Sequence, residues 1–409
     1  MHDCNTITIS LDTPMKIAHV AIACFYIEGW GYQENLLPKY HRLAGHDVYM
    51  ISSRFDKDRF NKPRLRPVSE YVNRDGIHVS ILDYGTPSLL WKLLRQRPIK
   101  GLYRRLEEIG PDIIFVHGGN SIASLDIVRY KKRHPHVRLF ADQHEDYYNA
   151  PVHTLKQWLI AKLLFGYMVR SLARHTEMYW GVTPWRVSYL RDVYGLRASQ
   201  TDLLVMGADD ELVDFRHRKD ISRELRRENG ISPDAFLIVT GGKIDRTKNI
   251  HLLMEAVSHV TRREDDIALV VYGSVDHELQ SVFDDLLRQN PHIRFVGWLD
   301  NRAITRWMLA ADLAVFPGTH SVLWETCVAC GTPMIVKDWA GMHHVDLGGN
   351  CRFVQGSDLH ELEDTLSRIV YDRSTYRSMQ QVAQSDARKA FLYSHIALKS
   401  IGEDNAGAS

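Results

Sequence analysis

The chain has few cysteines and no long hydrophobic run. Its 409 residues include five cysteines, an odd number spread widely along the sequence, which argues against a disulfide framework. No apolar stretch of roughly 18 residues is free of charge, so we predict no transmembrane helix. The N-terminal residues lack a basic segment followed by an apolar block, so no secretory signal is expected. These absences predict a cytoplasmic protein.

The sequence also lacks a complete set of zinc ligands. Cys327 and Cys330 form a CxxC pair, and His343 follows at a zinc-finger-like interval. The fourth ligand would fall near residues 347–349, which are Leu, Gly and Gly. Structural zinc needs four ligands in a tetrahedron, so we expect no zinc at this pair and buried thiols on a helix instead.

Neither sign of charge dominates, but the charge is unevenly distributed. The net charge is +1, with +7 over residues 15–212 and −4 over residues 213–409. The basic half predicts an anionic surface or substrate there. Near-neutral total charge makes nucleic acid a poor candidate partner.

Short β-rich runs alternate with helical patterns along the whole chain. They predict right-handed βαβ units, parallel sheets and an α/β fold with two doubly wound domains. Because ligands bind at the carboxyl ends of such strands, binding sites are expected in the segments that follow them. The predicted division is a flexible leader at 1–14, an N-terminal domain at 15–210, a C-terminal domain at 211–388, and a segment at 389–409 that returns to the first domain.

The first motif, GWGYQEN at residues 29–35, follows the opening strand. Gly29 and Gly31 match the start of a dinucleotide fingerprint, but Glu34 stands where its third glycine belongs. The missing glycine disfavours NAD. One alternative is a plain turn. We favour glycines that let a phosphate or sugar approach a helix N-terminus.

The second motif is VTGGKIDRTKNIHLL at residues 239–253. Gly241 and Gly242 end a strand, a helix is predicted to begin near Asn249, and Lys243 and Lys248 lie between. The pattern is not a Walker A loop. Two lysines there would suit a diphosphate leaving group; the alternative is a pair of solvated surface lysines.

The third motif is FPGTHSVLWETCVACGTP at residues 316–333. A strand ends at Pro317, a polar loop follows, and the next helix carries Glu325 near its start. A carboxylate there can complement the helix dipole or accept hydroxyl groups of a ribose.

These motifs together resemble those of the retaining glycosyltransferases of family 4, which have the GT-B fold. GKIDRTKN is similar to the family's GR(L/I)xxxKN segment, ETCVACGTP to its EAMACGTP, and PDIIFVH at residues 111–117 to its PDVVHVH strand. The resemblance covers nearly the whole chain. It implies two Rossmann-like domains that face one another across a cleft, with the donor in the C-terminal one.

The resemblance also implies roles for individual residues. Lys243 and Lys248 would hold the donor diphosphate, with Gly242 beside them, and Glu325 would bind the ribose. His117 would lie beside the reacting sugar. The backbone from Val296 to Leu299 would lie near the nucleobase. The resemblance further implies that no metal ion and no cofactor is required, with the nucleotide-diphosphate sugar as a substrate.

One departure from the family pattern concerns the E-x7-E motif. Pro317 occupies the place of its first glutamate, which in the family marks contacts to the transferred sugar. The shortened loop leaves His320, Ser321, Val322 and Leu323 to meet the donor. A catalytically degenerate nucleotide-sugar-binding scaffold is therefore an alternative, as is another GT-B activity such as a sugar-nucleotide epimerase or a phosphorylase.

Two stretches of the basic half mix cations with Leu, Trp and Tyr. Residues 88–105 hold six Lys or Arg and no acid, and residues 154–175 repeat the mixture. Such helices suit a bilayer interface with anionic headgroups; the alternative is amphipathic helices packed on the core. We predict a retaining hexosyltransferase that contacts the cytoplasmic face of the membrane. It would use a glycan or lipid-linked acceptor near Glu34 and His144, in polysaccharide or glycolipid synthesis.

Overall fold

The structure is a computed structural model that describes residues 14–57, 62–87, 97–150, 154–262 and 267–403. The chain forms two compact units. Unit 1 comprises Met1–Val205 and Tyr393–Ser409, and unit 2 comprises Met206–Leu392. The units therefore divide at 205/206 and 392/393, whereas the sequence predicts domain boundaries at 210/211 and 388/389. The predicted leader lies outside the described residues except for residue 14.

Unit 1 is built on an eight-stranded sheet in the order β10-β9-β8-β7-β1-β2-β6-β5. All neighbouring strands are parallel except the edge pair of β5 and β6, and β3 pairs with β4 in a separate antiparallel hairpin. The strands are β1 Lys16–Ala21, β2 Asp47–Ser53, β3 Phe55–Lys57, β4 Pro63–Leu65, β5 Ser69–Val72, β6 His78–Leu82, β7 Ile113–His117, β8 Arg138–Gln143, β9 Met178–Gly181 and β10 Thr201–Leu203.

Unit 2 is built on a six-stranded, fully parallel sheet in the order β13-β12-β11-β14-β15-β16. Its central strands are buried on both faces, which is why they appear in the sequence as continuous apolar runs. The strands are β11 Phe236–Ile244, β12 Ile267–Val275, β13 Ile293–Phe295, β14 Leu313–Phe316, β15 Met334–Lys337 and β16 Cys351–Val354.

Helices connect the parallel strands in both units, as βαβ crossovers require. In unit 1 they are Gln33–Leu43, Leu102–Ile109, Ser124–Arg133, Leu155–Ile160, Gly166–Ala173, Pro184–Asp192 and the C-terminal Tyr393–Ser400, with a π turn at Ala161–Phe165. In unit 2 they are Arg218–Glu228, Ile250–Val260, Gln280–Gln289, Asn301–Ala310, Leu323–Ala329, Leu359–Tyr371 and Arg373–Ala383.

Each unit has its own hydrophobic core between sheet and helices. In unit 1 one cluster packs β1, β7 and β8 against helices that include Leu106 and Leu172. A second cluster places Ile396 of the C-terminal helix against Phe115 of β7. In unit 2 the cluster includes Ile238, Val271 and Leu366. The fold prediction, an α/β structure with parallel sheets, is confirmed. Among the described residues, every helix is too short or too polar to span a lipid bilayer.

Candidate active site

Three glycine-containing segments lie side by side at the carboxyl edge of the unit 2 sheet. Gly242 on β11 and Gly273 on β12 are partners in register, and both have positive φ, 111° and 132°. A β-carbon at Gly273 would collide with the carbonyl oxygen of Gly242. The Gly273 N–H donates to the carbonyl of Gly297 across 2.8 Å. Glycine is required here because only a bare backbone permits this approach.

The segment predicted to lie near a nucleobase continues from β13 along this edge. The Val296 N–H donates to the Val271 carbonyl across 3.0 Å. The side chains of Val296 and Leu299 are half-buried, and Trp298 between them is 74% exposed. The segment therefore offers backbone and an aromatic face to solvent at the carboxyl edge of the sheet.

Lys248 reaches the loop after β14 rather than open solvent. Its Nζ donates to the carbonyl of Thr319 across 2.6 Å and to that of His320 across 3.2 Å. Burial lowers the pKa of this lysine. Gly318 lies directly against the Lys248 backbone, where a β-carbon would collide with the Lys248 Cα. Lys248 thus holds the loop that leads to Glu325.

Lys243 does not share the partners of Lys248. Its Nζ lies 3.3 Å from an oxygen of Asp245 and 3.4 Å from one of Asp276, and the side chain is 65% exposed. Hydrogen bonds to these carboxylates raise the pKa of Lys243. The reason for the difference is chemical: Asp245 and Asp276 already neutralise Lys243, whereas Lys248 faces carbonyl groups.

Glu325 lies in the first turn of the helix Leu323–Ala329 and is completely buried. Its Oε1 accepts from Nε2 of His320 at 2.8 Å and from Nε2 of His344 at 2.9 Å. Burial opposes ionisation of this carboxyl, but the two histidines outweigh burial and hold its pKa well below the usual range. Its other oxygen, Oε2, is buried without a hydrogen-bond partner among the described residues.

The remaining residues of this loop take up backbone positions at the start of the helix. The Ser321 carbonyl accepts from the Trp324 N–H, and the Val322 carbonyl accepts from the Thr326 N–H, each at 3.0 Å. The Leu323 side chain lies 3.5 Å from the place where Gly242 would carry a β-carbon. The structure therefore connects Gly242, Lys248 and the loop from His320 to Glu325 into one cluster.

A second polar cluster lies in unit 1, where β8 ends. Nε2 of His144 lies 3.5 Å from Oδ1 of Asp142 and 3.9 Å from a Glu34 oxygen. Burial opposes the charge on His144, but Asp142 and Glu34 outweigh it and raise its pKa. The Gln33 amide donates to Asp142 Oδ2 across 3.0 Å. The two residues predicted to lie near the acceptor are therefore brought together.

His117 ends β7 and is completely buried in the same unit. Its Nδ1 lies 3.0 Å from Asp142 Oδ2, and its Nε2 lies 3.0 Å from Nδ1 of His19. In this arrangement neither ring nitrogen is free for a sugar hydroxyl, so the proposed sugar contact would require His117 to move. Gly29 has a φ of 81°, and with Gly31 it lies in the loop before the helix Gln33–Leu43.

Two groups of side chains bring three potential metal ligands within 4.8 Å of one another. They are Cys24, Glu34 and His144 in unit 1, and His320, Glu325 and His344 in unit 2. Hydrogen bonds and ion pairs among the same side chains account for both groups. Cys327 and Cys330 are buried free thiols, and His343 pairs with Asp338 instead. The metal-independent reading stays a prediction.

Sequence reasoning missed several residues of these clusters. Asp142 and His19 lie in the buried parts of β8 and β1, and Thr319 contributes only its carbonyl. A charged or imidazole side chain inside a buried strand is a usable signal, because such groups are rarely buried without a partner. A backbone carbonyl leaves no such signal.

Comparison with known proteins agrees with this geometry. Residues 235–372, which contain Lys248 and Glu325, match the family described as Glycosyl transferases group 1. The chain carries a glycosyl transferases group 1 domain. Relatives include the D-inositol 3-phosphate glycosyltransferase of Paenarthrobacter aurescens, 25% identical over 50% of this chain and 52% of that protein. Another relative is the mannosylfructose-phosphate synthase of Agrobacterium fabrum, which is 22% identical over 55% of this chain and 52% of that protein. The chain spans about half the length of these relatives.

Solved structures extend the likeness from this glycosyl transferases group 1 domain to almost the whole fold. Anabaena HepE in complex with UDP matches with a TM-score of 0.64 and 17% identity, covering 94% of this chain and 98% of that one. A glycosyltransferase from Rickettsia africae matches with a TM-score of 0.65 and 11% identity, covering 97% and 100%. The UDP-GlcNAc 2-epimerase of Neisseria meningitidis matches with a TM-score of 0.59 and 11% identity, and the match covers 95% of this chain and 99% of that one. The GT-B fold predicted from the sequence is confirmed.

Proposed function

We propose that the protein is a retaining glycosyltransferase that moves a sugar from a nucleotide-diphosphate sugar to a glycan or lipid-linked acceptor. Its place would be the synthesis of a cell-surface polysaccharide or glycolipid. The match of residues 235–372 to the glycosyl transferases group 1 family supports the reaction class. The likeness to a HepE structure that contains UDP supports a nucleotide-sugar donor.

The observation that carries the proposal is the free oxygen of Glu325. A buried carboxylate oxygen without a donor costs free energy, because it has lost water and gained nothing in return. Oε2 of Glu325 is in that condition, while Oε1 is held in place by His320 and His344. A vicinal diol such as that of a ribose would supply the missing donor.

The diphosphate would lie against the loop that Lys248 supports. Lys248 is half-buried, and a cation in a partly desolvated site stabilises a developing negative charge more strongly than one in water. Lys243 would then have a secondary role, since an anion must compete with Asp245 and Asp276 for it. His117 is proposed to support the sugar indirectly, through its contact with Asp142, since both of its ring nitrogens already have partners. The donor phosphate is proposed to take the acceptor's proton on the same face.

The acceptor is proposed to reach the protein at a membrane surface. Leu155, Leu159, Leu163 and Tyr167 recur every fourth residue and are 74%, 41%, 64% and 53% exposed. Four residues exceed one 3.6-residue α turn, and the wider π turn at Ala161–Phe165 helps keep these side chains on one face. An exposed apolar stripe on a helix suits insertion at a bilayer interface.

A basic groove adjoins this stripe at Tyr167. The groove has a volume of about 730 Å³, and its cations are Arg129, Lys132, Arg133 and Arg174. No acidic side chain lines it among the described residues. Burial and neighbouring cations, with Lys132 first among them, lower the pKa of His175 in its wall. The groove therefore suits anionic headgroups. The other stretch predicted to contact a membrane is residues 88–105, of which residues 88–96 lie outside the described residues.

The reaction can be tested by incubating the protein with radiolabelled nucleotide sugars and a membrane extract as acceptor source. Label transferred to lipid or glycan with release of the nucleoside diphosphate supports the proposal, and NMR of the product should show a retained anomeric configuration. An epimerised nucleotide sugar formed without acceptor would favour the epimerase alternative. Nucleotide binding without turnover of any donor would favour the scaffold.

A further inference from the structure

Three buried histidines form a continuous chain through unit 1. His117 Nε2 lies 3.0 Å from His19 Nδ1, and His19 Nε2 lies 2.9 Å from His41 Nδ1. The chain ends at the Ala397 carbonyl, 2.8 Å from His41 Nε2, and begins at Asp142, 3.0 Å from His117 Nδ1. All three imidazoles and Asp142 are completely buried. The histidine chain is therefore shielded from bulk solvent.

The Ala397 carbonyl, at one end of the histidine chain, fixes the direction of every hydrogen bond in it. A carbonyl oxygen can only accept, so His41 Nε2 must carry a proton. Ser400 Oγ lies 3.1 Å from the same nitrogen, but its own proton goes to the Ala397 carbonyl at 2.7 Å. If His41 Nδ1 is bare, it must accept from His19 Nε2, and by the same rule His19 Nδ1 accepts from His117 Nε2. One proton is thus assigned to each histidine.

At the Asp142 end of the histidine chain, one proton per histidine leaves no proton for the hydrogen bond between His117 and Asp142. His117 Nδ1 would be bare, yet it faces a carboxylate oxygen of Asp142. Asp142 accepts hydrogen bonds on both oxygens, from the Gln33 amide on Oδ2 at 3.0 Å and from the Gly118 N–H on Oδ1 at 3.3 Å. A carboxyl group with donors on both oxygens is held in its ionised form. Four hydrogen bonds therefore require four protons, and three neutral imidazoles supply only three.

We propose that the three histidines together carry four ring protons, so that His117 is an imidazolium ion paired with Asp142. His117 is the member nearest to the negative charge. Burial, together with neighbouring imidazoles, lowers the pKa of His19 and lowers that of His41 to about 3, so both are neutral. His46 is the further titratable group that faces His41. The excess proton keeps the chain continuous from β8 to the C-terminal helix.

This arrangement makes His117 a positioning residue. Its charge keeps Asp142 ionised and fixed, and Asp142 in turn faces His144. The chain also ties the helix Tyr393–Ser400 to β1 and β7, because the last hydrogen bond crosses from His41 to Ala397. Only the link from His144 to an acceptor rests on the proposed glycosyltransferase function; the proton count does not.

The proton count can be measured by NMR on protein labelled with ¹⁵N histidine, at pH 7.5 and without any ligand. His117 should show protons on both ring nitrogens, and His19 and His41 should show one proton each, on Nε2. His360, whose side chain is 91% exposed, serves as the control that exchanges with water. A bare Nδ1 on His117, or a protonated Asp142 carboxyl in the ¹³C spectrum, would overturn the proposal.

Asp142→Asn provides a second, independent test. An asparagine amide can donate to His117 Nδ1, so the chain then needs one proton fewer, and His117 should become singly protonated on Nε2. A His117 that remains doubly protonated in this variant would contradict the pairing. If the variant does not fold, the wild-type spectrum alone decides. Loss of transfer activity with an intact four-proton chain would count against the proposed function and not against this inference.

Discussion

Glu325 and His344 lie 19 residues apart in sequence, and Nε2 of His344 donates to Oε1 of Glu325 across 2.9 Å. His320 donates to the same oxygen. The carboxylate is thereby anchored through one oxygen, and the other has no hydrogen-bond partner among the described residues. Glu325 therefore presents one oriented oxygen that can accept a further hydrogen bond.

Glu325→Gln should remove an acid-sensitive part of the stability of unit 2. Because the pKa of Glu325 is lowered in the folded state, its contribution is present above the unfolded pKa, about 4.3, and is lost as the pH falls below it. At pH 7 the free energy of unfolding of the wild type should exceed that of the variant by about 1.5–3 kcal/mol. This difference should narrow below pH 4. Chemical denaturation at several pH values measures it. Glu278→Gln, at an exposed position, should show no such pH-dependent gap.

Lys248→Met should weaken both the donor site and the loop after β14. The ammonium donates to two carbonyls, so its loss should cost about 1.5–3 kcal/mol of stability. Affinity for a nucleoside diphosphate should fall at least tenfold in isothermal titration. Lys243→Met is the matched control, and its effect on affinity should be clearly smaller because Asp245 and Asp276 already occupy that ammonium. Equal losses in the two variants would instead favour two lysines that hold the diphosphate together.

Gly318→Ala should disrupt the contact between the loop and Lys248. The new β-carbon would collide with backbone atoms of Thr247 and Lys248, and a backbone cannot retreat as a side chain can, so we expect a loss of about 3 kcal/mol. Gly195→Ala is the control: φ is 74° and no atom lies within 4 Å, so only backbone strain of about 1 kcal/mol applies. Thermal unfolding separates the two. Equal destabilisation would mean that the loop is not packed as described.

Leu159→Glu/Leu163→Glu should reduce binding to vesicles of phosphatidylcholine and phosphatidylglycerol by tenfold or more, since each buried leucine contributes about 1.5–3 kcal/mol. Vesicle flotation is the measurement. Leu43→Glu/Leu65→Glu is matched, because these leucines are 55% and 53% exposed elsewhere in unit 1. Vesicles without the anionic lipid should bind the wild type weakly. Binding that survives in the stripe variant would remove the membrane proposal.

The sequence predicted the larger architecture because its strands are buried on both faces and therefore form apolar runs. Among the described residues, thirteen strands coincide with such β-rich runs, whereas β3, β4 and β5 do not, because they are only three or four residues long and none is buried throughout. Lys248 and Glu325 could be found because they lie in segments that follow strands of a parallel sheet, where ligands bind. The partners of Lys243 could not, because Asp276 lies on a neighbouring βα connection. Nor could the histidine chain, whose members are separated by up to 98 residues.

Unit 2 is proposed to bind a nucleoside diphosphate at Lys248 and Glu325. The most direct measurement is thermal unfolding against UDP, GDP, ADP and CMP, with Lys243→Ala/Lys248→Ala as the control. One diphosphate should raise Tm by roughly 5–10 °C at about a hundredfold excess over its Kd, and the variant should lose this shift. No shift with any of the four nucleotides, in a folded wild type, would contradict the account.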